Sequence, residues 1–553
     1  MAGFLDPTFL LELGPNQFPR QIERLLWHIG FTDVVNIDGS GDEGGDVIGR
    51  HKGHQWVLQC KWKARGAVGA PAVDEVARAK DVYRATKAAV VTNTRVSADA
   101  SRRTDQLALV SPRIQLWPGT TLSRAFDRAA ERFGKIELRP YQQEARDALN
   151  HSLENTGRAL LILATGLGKT VVSGEVINDH LSRFPHHQVL VVAHTKDLVD
   201  QLERALWRHL SKSVKTRLLT GERRPDDLNG VTCATLDSAL FAVRRGYRPG
   251  LVVVDEAHHV GENGQYSELL GSLSSSRHLG VTATPWRGDA YDITHRFGPA
   301  AFTLGIEKGM RRGYLAQVDY RLFVDNLDWD VVRQASENSY SLGELNSKLF
   351  LPQRDEAIRD ELAAIWGGVA HPRALVFCRT IEHAERMADL LRRNGRWSDA
   401  LAVHAGLTKR KRQSRLLAFR AGTVPILTSV DILNEGVDVP DVNILCFARV
   451  THSRRIFVQQ LGRGLRLRQG KSRVTVLDFV SDLRRIAAAL NIKRELDAGE
   501  TEVLQDIGPS TVEFSDQRVG TLMDEWIKDA ASLETKYDEA RLQFPDPYLN
   551  SGW

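Results

Sequence analysis

ALLILATGLGKT (159–170) and LVVVDEAHH (251–259) are the stretches whose reading decides the fold. Each opens on a run that is apolar on both faces, the mark of a parallel strand buried between helices, and each run ends in residues suited to handling phosphate. In the first, the turn Thr165-Gly166-Leu167-Gly168 leads into Lys169 and Thr170. Backbone N–H groups of a glycine-rich turn at a helix start cradle phosphates, while Lys169 can reach the β- and γ-phosphates and Thr170 can hold Mg²⁺. The full GxxxxGK[ST] spacing is absent, because Leu163 stands where its first glycine would be. A glycine turn alone does not separate a phosphate loop from a plain turn. The second stretch adds Asp255 and Glu256 directly after a buried strand, where one carboxylate can hold Mg²⁺ and its neighbour can orient an attacking water.

Working outward, further apolar runs QVLVVAH (188–194) and LGVTATP (279–285) extend the first series, and ALVFC (374–378), ALAVHAG (400–406), PILTS (425–429), VNILCFA (442–448) and VTVLDFV (474–480) form a second. Two consecutive series of strand and helix predict two doubly wound α/β domains in tandem. The 553 residues, at about 150 per domain, predict three to four domains. With 42% hydrophobic and 26% charged residues, the chain is of ordinary globular composition, neither collagen-like, nor a disulfide scaffold, nor wholly disordered. Its 74 Lys and Arg against 69 Asp and Glu give a net charge of +5, which permits a polyanionic partner without requiring one. Cys60, Cys233, Cys378 and Cys446 lie far apart in apolar contexts and are expected to be reduced core residues. The opening MAGFLDPTFLLELG lacks a basic start, and no apolar run approaches the 18 or so residues a bilayer span needs. The expected location is the cytoplasm, with no membrane partner.

The motifs in order resemble superfamily 2 helicases and translocases. LRPYQQEA (138–145) is similar to the adenine-recognising segment, with Gln142 as the base contact; AHTKDLVDQ (193–201) and CATLDSA (233–239) resemble the segments that touch the DNA backbone. VTATP (281–285) resembles the motif that couples hydrolysis to movement, and LVFCRT (375–380), LNEGVDVPDV (433–442) and QQLGRGLR (459–466) resemble motifs IV, V and VI. The resemblance implies ATP in the cleft of two RecA-like domains, with Thr165, Gly166, Leu167, Gly168, Lys169, Thr170, Asp255 and Asp438 as nucleotide contacts, Glu256 catalytic, and Thr170 and Asp255 on the metal. Arg463 and Arg466 fit the arginines that stabilise the spread negative charge of a loose phosphoryl-transfer transition state. LTSVDILNEG carries Val430 where many members have Thr, and this form, with GRGLR, resembles the branch of type I and type III restriction motors and double-strand DNA translocases. The basic run KRKRQSR (409–415) is either a phosphate contact or a solvated helix face.

Ahead of the motor, Phe18, Ile22, Leu25, Leu26 and Ile29 share one helical face. After a glycine-rich stretch, GSGDEGGDVIG (39–49), the run Gln55–Lys63 alternates and makes a hairpin through a KGH turn. Gln59 and Lys61, two apart, project from one strand face, with Cys60 and Trp62 on the other, and Asp46 begins the partner strand. A carboxylate, an amide oxygen and an ammonium grouped there can serve Mg²⁺ and a phosphodiester, or can simply decorate an exposed sheet face. GDEGGDVIG, VLQCKWK, AAVVTNTRVSADA (88–100) and IQLWPG (114–119) resemble the Mrr family of restriction-endonuclease-like domains. The resemblance implies a variant PD-(D/E)XK site with Asp46, Gln59 and Lys61 catalytic and Asp46 and Gln59 on the metal. Glu23 on the opening helix is an extra carboxylate candidate; Asp42 and Glu43 read equally well as solvated loop residues.

The expected architecture is α/β: a restriction-endonuclease-like domain (1–128), two tandem RecA-like doubly wound parallel-sheet domains (136–298 and 299–482), and a short C-terminal extension without a readable role (483–553). The expected function is an ATP-dependent DNA helicase or translocase coupled to Mg²⁺-dependent DNA cleavage, in restriction or anti-phage defence. Double-stranded DNA is the favoured partner, and a homodimer would supply two nuclease sites. Two alternatives stay open: a repair or remodelling translocase whose nuclease-like domain only binds DNA, and an RNA helicase.

Overall fold

The computed structural model describes residues 3–37, 45–109, 112–134, 136–223, 225, 227–283, 291–323, 340–341, 355–393, 395–430, 442–448, 464–467, 471, 473–479, 511–514 and 541–542. The chain forms two compact units, one of residues 1–159, 170–255 and 262–280, the other of residues 160–169, 256–261 and 281–553.

Helices α1 (Pro7–Leu13) and α2 (Phe18–His28) lead into the first sheet. Its strands are β1 (Thr32–Asn36), β2 (Val47–His51), β3 (His54–Lys61), β5 (Lys87–Thr92) and β7 (Gln115–Trp117), ordered β1-β2-β3-β5-β7, with the short pair β4 (Ala67–Val68) and β6 (Arg95–Val96) beside it. β1, β2 and β3 run antiparallel, and β3, β5 and β7 run parallel. The expected hairpin turn is present: Lys52 (φ 48) and Gly53 (φ 78) both sit in the left-handed region, as a two-residue turn matched to strand twist requires. Parallel strands need crossovers, and helices α3 (Ala70–Val82) and α4 (Ala98–Leu107) supply them.

Strand alternation then decides the layers. Trp56, Leu58 and Cys60 pack with α1, α2 and Leu122 and Phe126 of α5 (Gly119–Arg128). Val57, Ala88 and Val90 face the other way, onto Val73, Val76 and Ala79 of α3.

The second sheet contains β8 (Arg158–Leu163), β9 (Val189–Ala193), β10 (Thr216–Leu219), β11 (Val231–Thr235), β12 (Leu251–Asp255), β13 (Arg277–Thr282) and β14 (Ala300–Leu304), ordered β10-β11-β9-β12-β13-β8-β14. Helices α6 (Pro140–Thr156), α7 (Lys169–Arg183) and α8 (Lys196–Trp207) are interspersed. β14 pairs with β8 in parallel, so this sheet reaches one strand past the boundary expected at residue 298.

The third sheet takes β15 (Gln317–Phe323), β17 (Ala374–Phe377), β18 (Leu401–Val403), β19 (Ile426–Ser429), β20 (Ile444–Phe447), β21 (Arg473–Phe479) and β22 (Thr511–Phe514), ordered β18-β19-β17-β20-β21-β15-β22; β16 (Tyr340–Ser341) pairs separately with β23 (Arg541–Leu542). Every pair of the seven is parallel. Ile358, Leu362 and Ile365 fall on the buried face of one helix, as their spacing predicts, against Val376 and Met387. The segment expected to be an extension without a role contributes an edge strand here, since β22 pairs with β15. All four cysteines are buried. Among the described residues, no helix is long and apolar enough to cross a membrane.

Within the first compact unit, α2 buries its charged residues as well as its apolar ones. Arg20 is 3% exposed and pairs with Glu203 and with Asp200 at 3.0 Å. Glu23 meets Arg204 at 3.0 Å. Arg24 donates to the carbonyls of Val214 (2.9 Å) and Ser211 (3.1 Å). From the opposite side, Lys212 donates to the carbonyls of Phe126 (2.9 Å), Asp127 (3.2 Å) and Ala129 (2.9 Å). These contacts fasten the N-terminal domain to α8 and the segment after it.

Candidate nuclease and nucleotide sites

The β2–β3 register pairs Val47 with Leu58, so one step further on Asp46 stands across from Gln59. Both are 4% exposed. An Asp46 carboxylate oxygen accepts the Cys60 N–H, which fixes the carboxylate at the strand end. The Gln59 Oε1 is buried without a hydrogen-bond donor. An unsatisfied buried carbonyl costs about 1–3 kcal/mol, so an oxygen left in that state beside a buried carboxylate fits a hard cation as its missing partner. Mg²⁺ commonly takes one or two protein oxygens, the rest of its octahedron being water and phosphate, and this pair suits that demand. Among the described residues no three His, Cys, Asp or Glu side chains converge on a metal-sized space.

Lys61, two residues beyond Gln59, follows it onto the α3 side, as alternation requires. Trp62 turns the other way and donates to the Leu10 carbonyl at 2.8 Å. The strand end is held by Asn93, whose side chain accepts from Lys63 N at 2.9 Å and donates to Lys63 O at 2.8 Å. Lys61 Nζ meets Glu75 Oε2 of α3 at 2.5 Å. Glu75 is a residue that the strand spacing could not reveal. Its signal lay in topology: the crossover from β3 to β5 is right-handed in nearly all proteins, which selects the sheet face that α3 covers.

Glu23 is placed elsewhere. Its partner is Arg204, and burial pushes its carboxyl above the usual range despite the opposing pull of Arg204. Asp42 and Glu43 lie outside the described residues.

In the motor, Gly166 (φ 93) and Gly168 (φ 89) take left-handed backbone between β8 and α7, a conformation glycine adopts without a Cβ penalty. The Leu167 side chain is fully buried and its N–H donates to the Ala164 carbonyl at 3.2 Å. α7 starts at Lys169, so the unpaired N–H groups of its first turn and its positive end open at the loop. Lys169 Nζ lies 3.1 Å from Glu256 Oε1, each side chain 14% exposed. Glu256 itself is left-handed (φ 49, ψ 53), a backbone strain worth on the order of 1–3 kcal/mol that tends to persist where a site demands it. Its second oxygen lies 3.3 Å from His258 Nδ1, which contacts Thr282 Oγ1 at 2.9 Å. The acidic pair after β12 is thereby linked to the VTATP segment.

Thr170 is the second residue of α7, and Asp255 ends β12. Gln142 occupies the first turn of α6, where its Oε1 accepts from Arg139 N at 3.0 Å in a capping arrangement. Arg466 is exposed and bridges Leu315 through its backbone. Asp438 and Arg463 lie outside the described residues. Of the basic run, Thr408 caps the helix Lys409–Ala421 and Arg415 turns inward to the Ala402 carbonyl.

Fold and clusters together give a restriction-endonuclease-like domain followed by two parallel-sheet α/β domains, with a glycine turn of phosphate-loop type between β8 and α7. Residues 10–126 match the restriction endonuclease family with the Mrr catalytic domain, 135–287 match the res subunit of type III restriction enzymes, and 353–468 match the helicase conserved C-terminal domain. The chain thus carries, in order, an Mrr-type restriction endonuclease domain, a domain like the res subunit of type III restriction enzymes and a helicase C-terminal domain.

It is 29% identical over 401 residues to irc3 of Schizosaccharomyces pombe, a protein named as a candidate mitochondrial ATP-dependent helicase, covering 67% of this chain and 61% of that one. It is 24% identical over 371 residues to the type I restriction enzyme EcoAI endonuclease subunit of Escherichia coli, covering 62% and 46%. The chain thus spans less than two thirds of these relatives. In fold it is similar to the ATP-dependent type ISP restriction-modification enzyme LlaBIII bound to DNA, with a TM-score of 0.51 at 17% identity over 96% of this chain and 42% of that one.

Proposed function

We propose that this protein is an ATP-driven DNA translocase that cleaves double-stranded DNA with Mg²⁺, in cytoplasmic defence against foreign DNA. The observation that carries the cleavage half is the buried, unsatisfied Gln59 Oε1 across from Asp46, with the Lys61 ammonium on the same sheet face. Asp46 and Gln59 would hold Mg²⁺, which when bound would polarise the scissile phosphate and lower the pKa of a bound water. Lys61 places a positive charge where the nucleophile and the phosphate oxygens come together.

In the motor, residues 165–169 hold the phosphates of ATP, Gln142 the adenine, and Asp438 makes a further nucleotide contact. Thr170 and Asp255 hold the Mg²⁺ of the nucleotide, Glu256 orients water, and Arg463 and Arg466 stabilise transition-state charge. Lys169 exchanges Glu256 for phosphate on binding, which frees that carboxylate for the water. A homodimer brings a second nuclease site for the second strand.

The test is nicking of plasmid DNA with Mg²⁺ by the wild type and by Lys61→Ala, alongside ATPase rates on double-stranded DNA and on RNA. The expected result is cleavage reduced by about 100-fold or more in Lys61→Ala, with ATPase stimulated by DNA in both proteins. ATP hydrolysis on DNA without cleavage by the wild type would make the N-terminal domain a DNA-binding module; stimulation by RNA alone would make the motor an RNA helicase.

A further inference from the structure

We propose that Glu75 is a positioning residue of the nuclease site, holding the Lys61 ammonium on the face that carries Asp46 and Gln59; this rests on the nuclease reading above. Glu75 belongs to α3, the crossover between β3 and β5, and the buried face of that helix (Val73, Val76, Ala79) seats on Val57, Ala88 and Val90. Val57, Gln59 and Lys61 alternate onto this same side of β3. The backbone at both ends of the contact is therefore fixed by packing before the pair forms. The two consecutive acids of α3 divide their work: Asp74 turns to Arg103 of α4 at 2.7 Å, and Glu75 turns to Lys61 at 2.5 Å.

The side chains of Lys61 and Glu75 are 33% and 31% exposed. A half-exposed pair of this kind contributes little to stability. Its consequence is geometric. A lysine has four rotatable bonds and a large rotamer entropy, and without a carboxylate beside it the ammonium samples solvent; with one, it waits within the cluster that reads as the catalytic site. Chemistry that depends on placing a reacting group within a few tenths of an ångström responds to such a restraint in turnover and not in stability.

The experiment uses the full chain as wild type, Glu75→Gln and Glu75→Asp. Plasmid cleavage with Mg²⁺ gives kcat and KM. In parallel, limited acylation at fixed pH with an amine-reactive ester, read by mass spectrometry of the Lys61 peptide, reports how firmly the ammonium is held. Glu75→Gln is expected to lower kcat roughly tenfold to a hundredfold, as loss of a supporting partner does at other sites, with KM, melting temperature and DNA-stimulated ATPase unchanged. Lys61 is expected to acylate several-fold faster in Glu75→Gln, and Glu75→Asp to recover part of both losses. Equal acylation in wild type and Glu75→Gln, or full cleavage by Glu75→Gln, overturns the proposal. Faster acylation in the variant with no cleavage by the wild type supports the restraint and overturns the nuclease reading, so the two failures are told apart.

Discussion

At the scale of single residues, the chemistry is concentrated in side chains whose neighbours leave them one job. Gln59 is the clearest: its Oε1 is buried with no donor beside a buried carboxylate, a state that calls for an explanation. Gln59→Ala removes that oxygen, and we expect cleavage to demand a higher Mg²⁺ concentration, measured as a rightward shift of the metal titration; an unchanged titration would remove Gln59 from the metal site. Glu23 provides the contrast. Its carboxylate is engaged by Arg204 at 3.0 Å, and Glu23→Gln is expected to leave cleavage within about threefold of wild type. Loss comparable to Lys61→Ala would return Glu23 to the active site. The grouping of Asp46, Gln59 and Lys61 was legible in the sequence because side-chain alternation is a local rule. Glu75 was not, because which residue of a crossover helix lies over a given strand position depends on the seating of α3, and no spacing along the chain encodes it.

At the scale of elements, β8, β9, β12 and β13 of the second sheet and β17 to β21 of the third, the edge strand β18 among them, were legible, and β10, β11, β14, β15 and β22 were not. β9 and β12 are apolar on both faces because helices cover them, whereas β14 is half-exposed along most of its length and β15 carries Asp319 and Arg321, paired to each other at 2.9 Å. Half-solvated strands dilute the apolar run that announces a parallel strand. The edge strand β10 is a different case: Arg217 within it is 1% exposed, paired with Asp227 and covered by the ring of Phe9 in α1 at 4.7 Å. Helix α2 likewise carries more than its apolar spacing shows, since Arg20 and Glu23 are buried against α8. Breaking that contact from one side strands a buried charge. Arg20→Ala leaves Glu203, itself 1% exposed, without its guanidinium, and a loss of about 3–5 kcal/mol is expected, read as a lowered melting temperature and faster proteolysis between residues 129 and 139. A change below about 1 kcal/mol would mean that water replaces the pair.

At the scale of the molecule, the nuclease-like domain is fastened by buried charge to α8 and the segment after it. That attachment carries a pH dependence. His28, on α2, contacts the Ala130 carbonyl at 2.9 Å, and burial lowers its pKa from the ordinary 6.5 to about 4. His180 on α7 is lowered to about 4 by burial and by His187 beside it. Both imidazoles are neutral in the folded protein and take up a proton on unfolding between those values, so stability is fully present above pH 6.5 and is lost as pH falls toward 4. His28→Gln keeps a donor for Ala130 and is expected to flatten the fall in melting temperature between pH 7 and 4.5; an unchanged slope would show that His28 does not titrate in this range. The proposed coupling of a motor to a nuclease on one chain is tested by DNA cleavage with Mg²⁺, with and without ATP, by the wild type and by Lys169→Ala. We predict cleavage by the wild type that rises with ATP and is lost in Lys169→Ala. Cleavage that is equal with and without ATP, and retained in Lys169→Ala, would show two independent activities on one chain and contradict the account.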